Sequence, residues 1–324
     1  MKAVLCRSFG GPETLQVDEI GWPEPARNEV LITVKACGVN FPDTLIIDGK
    51  YQFKPPFPFS PGGEVAGVIR AVGEGVAHLK PGDAVLALTG WGGFAEGVVV
   101  DARRVFPIPP GMDFQTAASM LYTYGTSYHA LKDRAHLQPG ETLLVLGAAG
   151  GVGLAAVTLG KQMGATVIAA ASTAEKLALC REYGADETIN YSEDDLRNRL
   201  KELTGGKGVD VVYDPVGGAL TDPALRSMNW NGRYLVVGFA AGKIPDLPMN
   251  LPLLKGCSVV GVFWGAFAER QPKESTRNLA EIIGFWQSGK IKPHIQATYP
   301  LDQAAQALMD MQARKVMGKI LIVP

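Results

Sequence analysis

The residues with the clearest chemistry are the glycines of Gly147-Ala-Ala-Gly-Gly-Val-Gly153. They follow the apolar run Thr142-Leu-Leu-Val-Leu146 and lead into Leu154-Ala-Ala-Val-Thr-Leu-Gly160. A strand, a glycine turn and a helix start in that order make a cradle for phosphate. Side chains at Gly150 or Gly153 would keep the backbone from a pyrophosphate, or the helix from the sheet. The anion then rests on backbone N–H groups at the helix N-terminus, which Gly147, Ala149, Gly150, Gly151, Val152 and Gly153 would shape. Ala148 holds the first glycine position of the strict G-x-G-x-x-G pattern, so the strand and helix around the turn carry the dinucleotide reading.

The choice of dinucleotide turns on the end of the second strand of such a unit, where an Asp or Glu binds the ribose 2′-OH of NAD. Here Ala165-Thr-Val-Ile-Ala-Ala-Ala171 ends in Ser172 and Thr173, and Lys176 lies one turn into the next helix. No carboxylate repels a 2′-phosphate, and Lys176 offers it a positive charge, so NADPH is the expected cofactor. Glu175 leaves room for NADH. The same residues would also suit a plain helix N-cap at Ser172 and a solvated lysine.

Metal chemistry finds few donors. The four cysteines (Cys6, Cys37, Cys180, Cys257) are far apart, and the four histidines (His78, His129, His136, His294) show no ligand spacing. A catalytic zinc needs three protein ligands and a structural zinc four. Without a Lewis acid to stabilise an alkoxide, alcohol oxidation is hard to drive. Hydride transfer to an already electrophilic acceptor needs mainly alignment and exclusion of water.

Composition narrows the setting. A chain of 324 residues with 47% hydrophobic content has room for two domains with large cores. A net charge of −1 gives no field for nucleic acid or an anionic membrane. Residues 142 to 160 carry no charge, yet five glycines interrupt the run, which favours a buried strand and core helix over a membrane span. Unpaired cysteines and an N-terminus without a signal-like apolar core suggest a cytoplasmic protein.

The elements that must position these residues change character along the chain. Up to about 120, short strands such as 30–34, 65–69, 84–88 and 94–100 alternate with Gly and Pro turns, which suggests a mostly β domain. From about 123 to 261, strands at 142–147, 165–171, 209–214, 232–238 and 257–263 alternate with helical stretches, the pattern of a doubly wound parallel sheet. The tail, with a helix near 274–288 and strands near 294–299 and 319–323, reads as returning to the first domain.

Several motifs then converge. Ala36-Cys-Gly-Val-Asn-Phe-Pro-Asp43, Pro61-Gly-Gly-Glu-Val-Ala-Gly67, Val76-Ala-His-Leu-Lys-Pro-Gly-Asp83, the 147–153 turn, Asp210-Val-Val-Tyr-Asp-Pro-Val-Gly217 and Gly318-Lys-Ile-Leu-Ile-Val-Pro324 span nearly the whole length. In that order the chain resembles a zinc-independent medium-chain dehydrogenase/reductase of the quinone oxidoreductase group. In zinc-dependent relatives a Cys and a His would stand at Asn40 and Gly63. The resemblance implies an α/β protein: a GroES-like β-rich catalytic domain from 1–122 and 262–324, and a Rossmann domain from 123–261.

It also implies site residues. Asn40, Asp43 and Tyr51 fall on the β-rich side of the acceptor site, where Tyr51 could donate a hydrogen bond or proton to the acceptor oxygen. Leu45 stands where many relatives carry a second tyrosine. Thr126 matches a position beside the nicotinamide, Tyr191 one flanking the adenosine phosphate, and Arg314 a basic position before Gly318. Gly238 and Phe239 end the fourth strand, and Phe263, Trp264 and Gly265 end the fifth, beyond the carboxyl ends where open sheets bind ligands; buried core aromatics are the competing account of the latter. Glu64 and Asp83 are read as structural. The implied activity is NADPH-dependent hydride transfer to a quinone or α,β-unsaturated carbonyl. The rivals are a 2-enoyl reductase of acrylates, their thioesters or 2-haloacrylates, and a nucleotide-binding protein without turnover. Homodimerisation through the apolar edge Val259-Val-Gly-Val-Phe263 is expected, since an uncovered edge invites association.

Overall fold

Thr142–Leu146 is an unbroken apolar run because both faces of this strand are covered: Leu143, Leu144, Val145 and Leu146 are all buried. In the computed structural model, which describes residues 1–324, this strand lies in the middle of a six-stranded, all-parallel sheet. The spatial order is Glu187–Asn190, Thr166–Ala171, Thr142–Leu146, Val209–Asp214, Met228–Val236, Ser258–Gly261. That is the 3-2-1-4-5-6 order of the doubly wound Rossmann fold. The edge strand Glu187–Asn190 is absent from the sequence reading, because four residues, Glu-Thr-Ile-Asn, carry too little alternation to register. Gly160 permits the close seat of helix Gly151–Gln162, since a Cβ there would lie 2.5 Å from Leu143 Cδ2.

The β-rich part is a seven-stranded sheet. Its path runs Ile295–Tyr299, Lys319–Ile322, Glu29–Gly38, Glu64–Val72, Ala84–Leu88, Val105–Pro107, with Gly97–Asp101 also paired to Glu29–Gly38. The tail joins this sheet through Leu321 opposite Gly38 and Ile322 opposite Cys37. Alternate residues of the long strands (Val30, Ile32, Val34; Val65, Ile69) build one core with Leu301, Leu308, Ile320 and Ile322.

The chain divides into Met1–Tyr122 with Pro293–Pro324, and Thr123–Lys292. The sequence reading returned the chain to the β-rich unit at 262; the structure makes the return at Pro293, and 262–292 belongs to the nucleotide-fold unit. Side-chain contacts give the reason. In helix Pro272–Gln287, Phe285 meets the Tyr128 ring edge-on at 5.9 Å. Lys132 reaches Asn278 Oδ1 at 3.0 Å and pairs with Glu281, and Asn278 donates to Asp133 Oδ2 at 2.7 Å. Phe267 stacks on the buried His129 ring at 3.8 Å. The segment 126–134 thus holds 264–287 by contacts about 150 residues apart in the chain, beyond the range of local periodicity.

Candidate functional site

The glycine turn has the geometry its sequence promised. Gly147 takes φ +58°, the left-handed region that glycine enters without strain. Gly150 is the N-cap of helix Gly151–Gln162, and Leu154 N–H closes on Gly150 C=O at 2.7 Å. The N–H groups of Gly151, Val152 and Gly153 precede that first closed turn, an arrangement that could hold an anion. Gly153 is sterically obligatory: a Cβ would stand 2.3 Å from Gly147 O and 2.9 Å from Ala148 Cα, both rigid backbone. Ala149 is buried beneath the turn. Ser127, which the sequence reading passed over, pins this helix start by donating to Val152 O at 2.7 Å while meeting Tyr213 Oη at 2.9 Å.

At the end of the second strand, Lys176 Nζ lies 3.4 Å from Ser172 Oγ. The N-cap is Thr173, whose Oγ1 accepts from Lys176 N–H at 3.3 Å. Capping therefore falls to Thr173 rather than Ser172, and Ser172 and Lys176 come together as a hydroxyl and ammonium pair suited to a phosphate. Tyr191 closes the neighbouring strand end, its N–H on Ala171 O at 3.1 Å and its ring against the core.

At the end of strand Val209–Asp214, Asp214 accepts from Val216 and Gly217 N–H, both at 2.8 Å, and from Tyr234 Oη at 2.5 Å. That carboxylate fixes the turn on which Phe239 packs: a Cβ at Gly217 would lie 2.9 Å from Phe239 Cδ1, and one at Gly238 would lie 3.3 Å from Pro215 O. The last strand stops at Gly261, short of the expected 263. Trp264 starts helix Trp264–Arg270, with Gly265 as its second residue, and is buried on Gly125, where a Cβ would meet its indole at 2.6 Å; Phe263 is 55% exposed. Trp264 thus follows the core-aromatic reading while Phe263 stays accessible. Thr126, partly buried, begins the short helix Thr126–Tyr128. Arg314 lies in the β-rich unit, exposed, with φ +57° just past helix Ala304–Gln312.

The acceptor-side candidates centre on a buried polar network. Asn40 starts helix Phe41–Ile47, its N–H donating to Asp43 Oδ2 at 2.7 Å, and Asp43 Oδ1 accepts from Gly62 N–H at 3.0 Å. Asn40 Nδ2 donates to Glu64 Oε1 at 3.0 Å and to Gly38 O at 3.2 Å. Lys319 Nζ donates to Glu64 Oε1 at 2.6 Å, to Asn40 Oδ1 at 2.8 Å and to Val39 O at 3.1 Å. Glu64 Oε2 accepts from Tyr122 N–H at 2.9 Å. Asn40 is therefore hydrogen-bonded at both ends of its amide, which fixes its orientation. Burial pushes the Asp43 carboxyl up to about 7, against the pull of the Asn40 and Gly62 N–H groups and of Lys319. Burial, then the Asp43 charge, raises the Tyr51 phenol, which keeps its proton; its ring meets Phe53 at 4.9 Å. The Lys319–Glu64 pair escaped the sequence reading, since its members are 255 residues apart.

This donor set does not fit zinc. Asn40 presents an amide already bound to an ammonium, Gly63 has no side chain, Glu64 is matched by Lys319, and no three His, Cys, Asp or Glu side chains gather anywhere.

A GroES-like β unit joined to a Rossmann unit with a glycine turn after its first strand defines the medium-chain dehydrogenase/reductase class. Residues 26–110 match the family model of the alcohol dehydrogenase GroES-like domain, and 151–282 that of the zinc-binding dehydrogenase. The chain is 39% identical over 323 residues to the quinone oxidoreductase-like protein 2 homolog of Nematostella vectensis, covering 99% of this chain and 88% of that protein. Two solved structures are similar over the full length. A probable oxidoreductase from Mycobacterium abscessus is 40% identical with TM-score 0.90, covering 100% of this chain and 99% of that one. Escherichia coli quinone oxidoreductase complexed with NADPH is 33% identical with TM-score 0.93, covering 100% of each. The chain belongs to the quinone oxidoreductase group of the medium-chain dehydrogenase/reductase family.

Proposed function

We propose that this protein is an NADPH-dependent reductase that delivers a hydride to a quinone or α,β-unsaturated carbonyl without a metal. The observation that carries the reading is the Gly147–Gly153 turn at the head of helix Gly151–Gln162, with Lys176 and Ser172 paired at the next strand end where a NAD-selective site would hold a carboxylate. The turn holds the pyrophosphate and the Lys176 ammonium the 2′-phosphate, with Tyr191, Gly238, Phe239, Phe263, Trp264 and Gly265 as neighbours of the bound dinucleotide, Thr126 beside the nicotinamide and Arg314 as a further basic contact. Similarity to a quinone oxidoreductase crystallised with NADPH supports the cofactor.

On the acceptor side, Tyr51 orients the acceptor oxygen and Asn40 holds the local backbone through Asp43, Glu64 and Lys319. NADPH supplies the hydride; the chain's residues bind, align and exclude water. The protein works as a cytoplasmic homodimer, in keeping with four free, buried cysteines, an edge strand Ser258–Gly261 that leaves Val259 38% exposed, and the exposed Leu253 and Leu254. No helix is long and apolar enough to cross a membrane.

The test is NADPH consumption, followed by nicotinamide absorbance, against quinones, enones, enoyl thioesters and acrylates. Turnover greatest with quinones or enones supports the proposal. A preference for enoyl thioesters or acrylates replaces it with the 2-enoyl reductase reading, and no consumption with any acceptor refutes reductase activity altogether.

A further inference from the structure

The acceptor-side network holds a second phenol that the sequence reading did not single out. Tyr122 is anchored by its own N–H on Glu64 Oε2, the carboxylate whose other oxygen takes Lys319 and Asn40. Its hydroxyl lies over Gly63: a Cβ built there would stand 2.6 Å from Tyr122 Oη and 3.0 Å from Cζ. The Gly63 backbone is held in place, since its carbonyl accepts from Thr89 N–H at 2.9 Å and Gly90 N–H at 3.1 Å. Next to it, Gly62 N–H is bound by Asp43 Oδ1. The absent side chain at 63 therefore leaves a space that the Tyr122 hydroxyl fills.

Tyr51 and Tyr122 both lie within the electrostatic reach of the Asp43 carboxyl group. Both phenols are raised by burial and then by Asp43, and Tyr122 further by Tyr51 and Glu64, so both stay protonated and serve as donors. Tyr122 remains partly exposed in an otherwise buried surround of Leu121, Gly63 and Glu64. Leu45, on helix Phe41–Ile47, brings no hydroxyl.

We propose that Tyr122 is a second hydrogen-bond donor to the acceptor's carbonyl oxygen, delivered from the space that a side chain at position 63 would occupy, and that Gly63 is a glycine for that reason. This rests on the reductase reading above. The hydride carries two electrons to the acceptor and leaves NADP⁺, charge develops on the acceptor oxygen, and the two phenols stabilise it without losing their protons. The proton that completes the quinol or ketone comes from water.

The test uses the full-length protein with NADPH and 1,4-benzoquinone. Tyr122→Phe lowers kcat about ten-fold, the loss of one buried hydrogen bond to a charged oxygen. NADPH affinity measured by fluorescence titration stays unchanged, a split that a merely structural role would not give. Gly63→Ala forces a methyl against the hydroxyl and lowers kcat at least as much. Removing the oxygen in Gly63→Ala/Tyr122→Phe relieves the 2.6 Å contact and recovers part of the thermal stability lost by Gly63→Ala, while kcat stays low. Wild-type kcat in a folded Tyr122→Phe overturns the proposal and leaves the reductase reading standing. Equal losses of NADPH affinity and kcat also overturn it, and wild-type protein inert with every acceptor overturns both.

Discussion

Lys319→Met is the substitution whose cost the structure specifies best. The Lys319 and Glu64 side chains are 4% and 1% exposed, and their 2.6 Å contact joins the final strand of the β-rich unit to strand Glu64–Val72. Methionine fills the lysine stem but leaves the Glu64 carboxylate without its cation. Removing one partner of a buried pair costs about 3–5 kcal/mol, because a charge stays in low dielectric. Glu64 keeps two donors, Asn40 Nδ2 at 3.0 Å and Tyr122 N–H at 2.9 Å. These place the loss near the lower bound, about 3 kcal/mol. For units of roughly 150–250 residues that corresponds to a fall in Tm of about 6–12 °C. Urea unfolding followed by circular dichroism, with thermal melts alongside, measures both. Lys319→Met/Glu64→Gln removes the stranded charge and recovers at least half of the loss, since an apolar or neutral replacement of a whole buried pair is close to neutral. A single variant within 1 kcal/mol of wild type, or a double variant weaker than the single, would show that the pair is not what holds these strands (threshold from the usual range of surface changes, about 0.5 kcal/mol).

Three further outcomes follow from the same geometry. Gly153→Ala drives a Cβ into Gly147 O at 2.3 Å and weakens NADPH binding by at least about ten-fold, whereas Gly284→Ala, in open space on helix Pro272–Gln287, leaves binding intact and stabilises by about 0.5–1 kcal/mol; calorimetric titration distinguishes them, and equal affinities would remove the turn from the cofactor site. Lys176→Ala raises the Michaelis constant for NADPH far more than for NADH, and equal effects would take the ammonium off the 2′-phosphate. Asp43 has a folded pKa of about 7 against an unfolded value of 3.8, so the folded state holds the extra proton between these pH values. Stability from this group is complete below pH 3.8 and declines as pH rises towards 7; the stability gap between wild type and Asp43→Asn narrows across that window, and a gap that widens contradicts the assignment.

How much of this was legible in the sequence depends on range. The glycine turn was, because Gly147 and Gly153 act within seven residues and their steric roles are local. So were the parallel sheet and the β-rich unit, whose strands announce themselves by uninterrupted or alternating apolar runs. Glu187–Asn190 was too short to show a pattern, and the return of the chain at Pro293 was hidden because helix Pro272–Gln287 is held by Tyr128, Lys132 and Asp133 far upstream. The Lys319–Glu64–Asn40 network and the seat of the Tyr122 hydroxyl over Gly63 unite residues from three distant stretches, and only the glycine at 63 hinted that something else fills its place.

The most direct measurement of the central claim is the rate of NADPH oxidation by 1,4-benzoquinone, with the protein dialysed exhaustively against a strong chelator and NADPH either protiated or deuterated on the transferred position. Metal-free hydride transfer gives quinone-dependent oxidation at an undiminished rate, slowed by deuterium. Oxidation that disappears with the chelator, or a rate no higher than that of the mixture without protein, contradicts it.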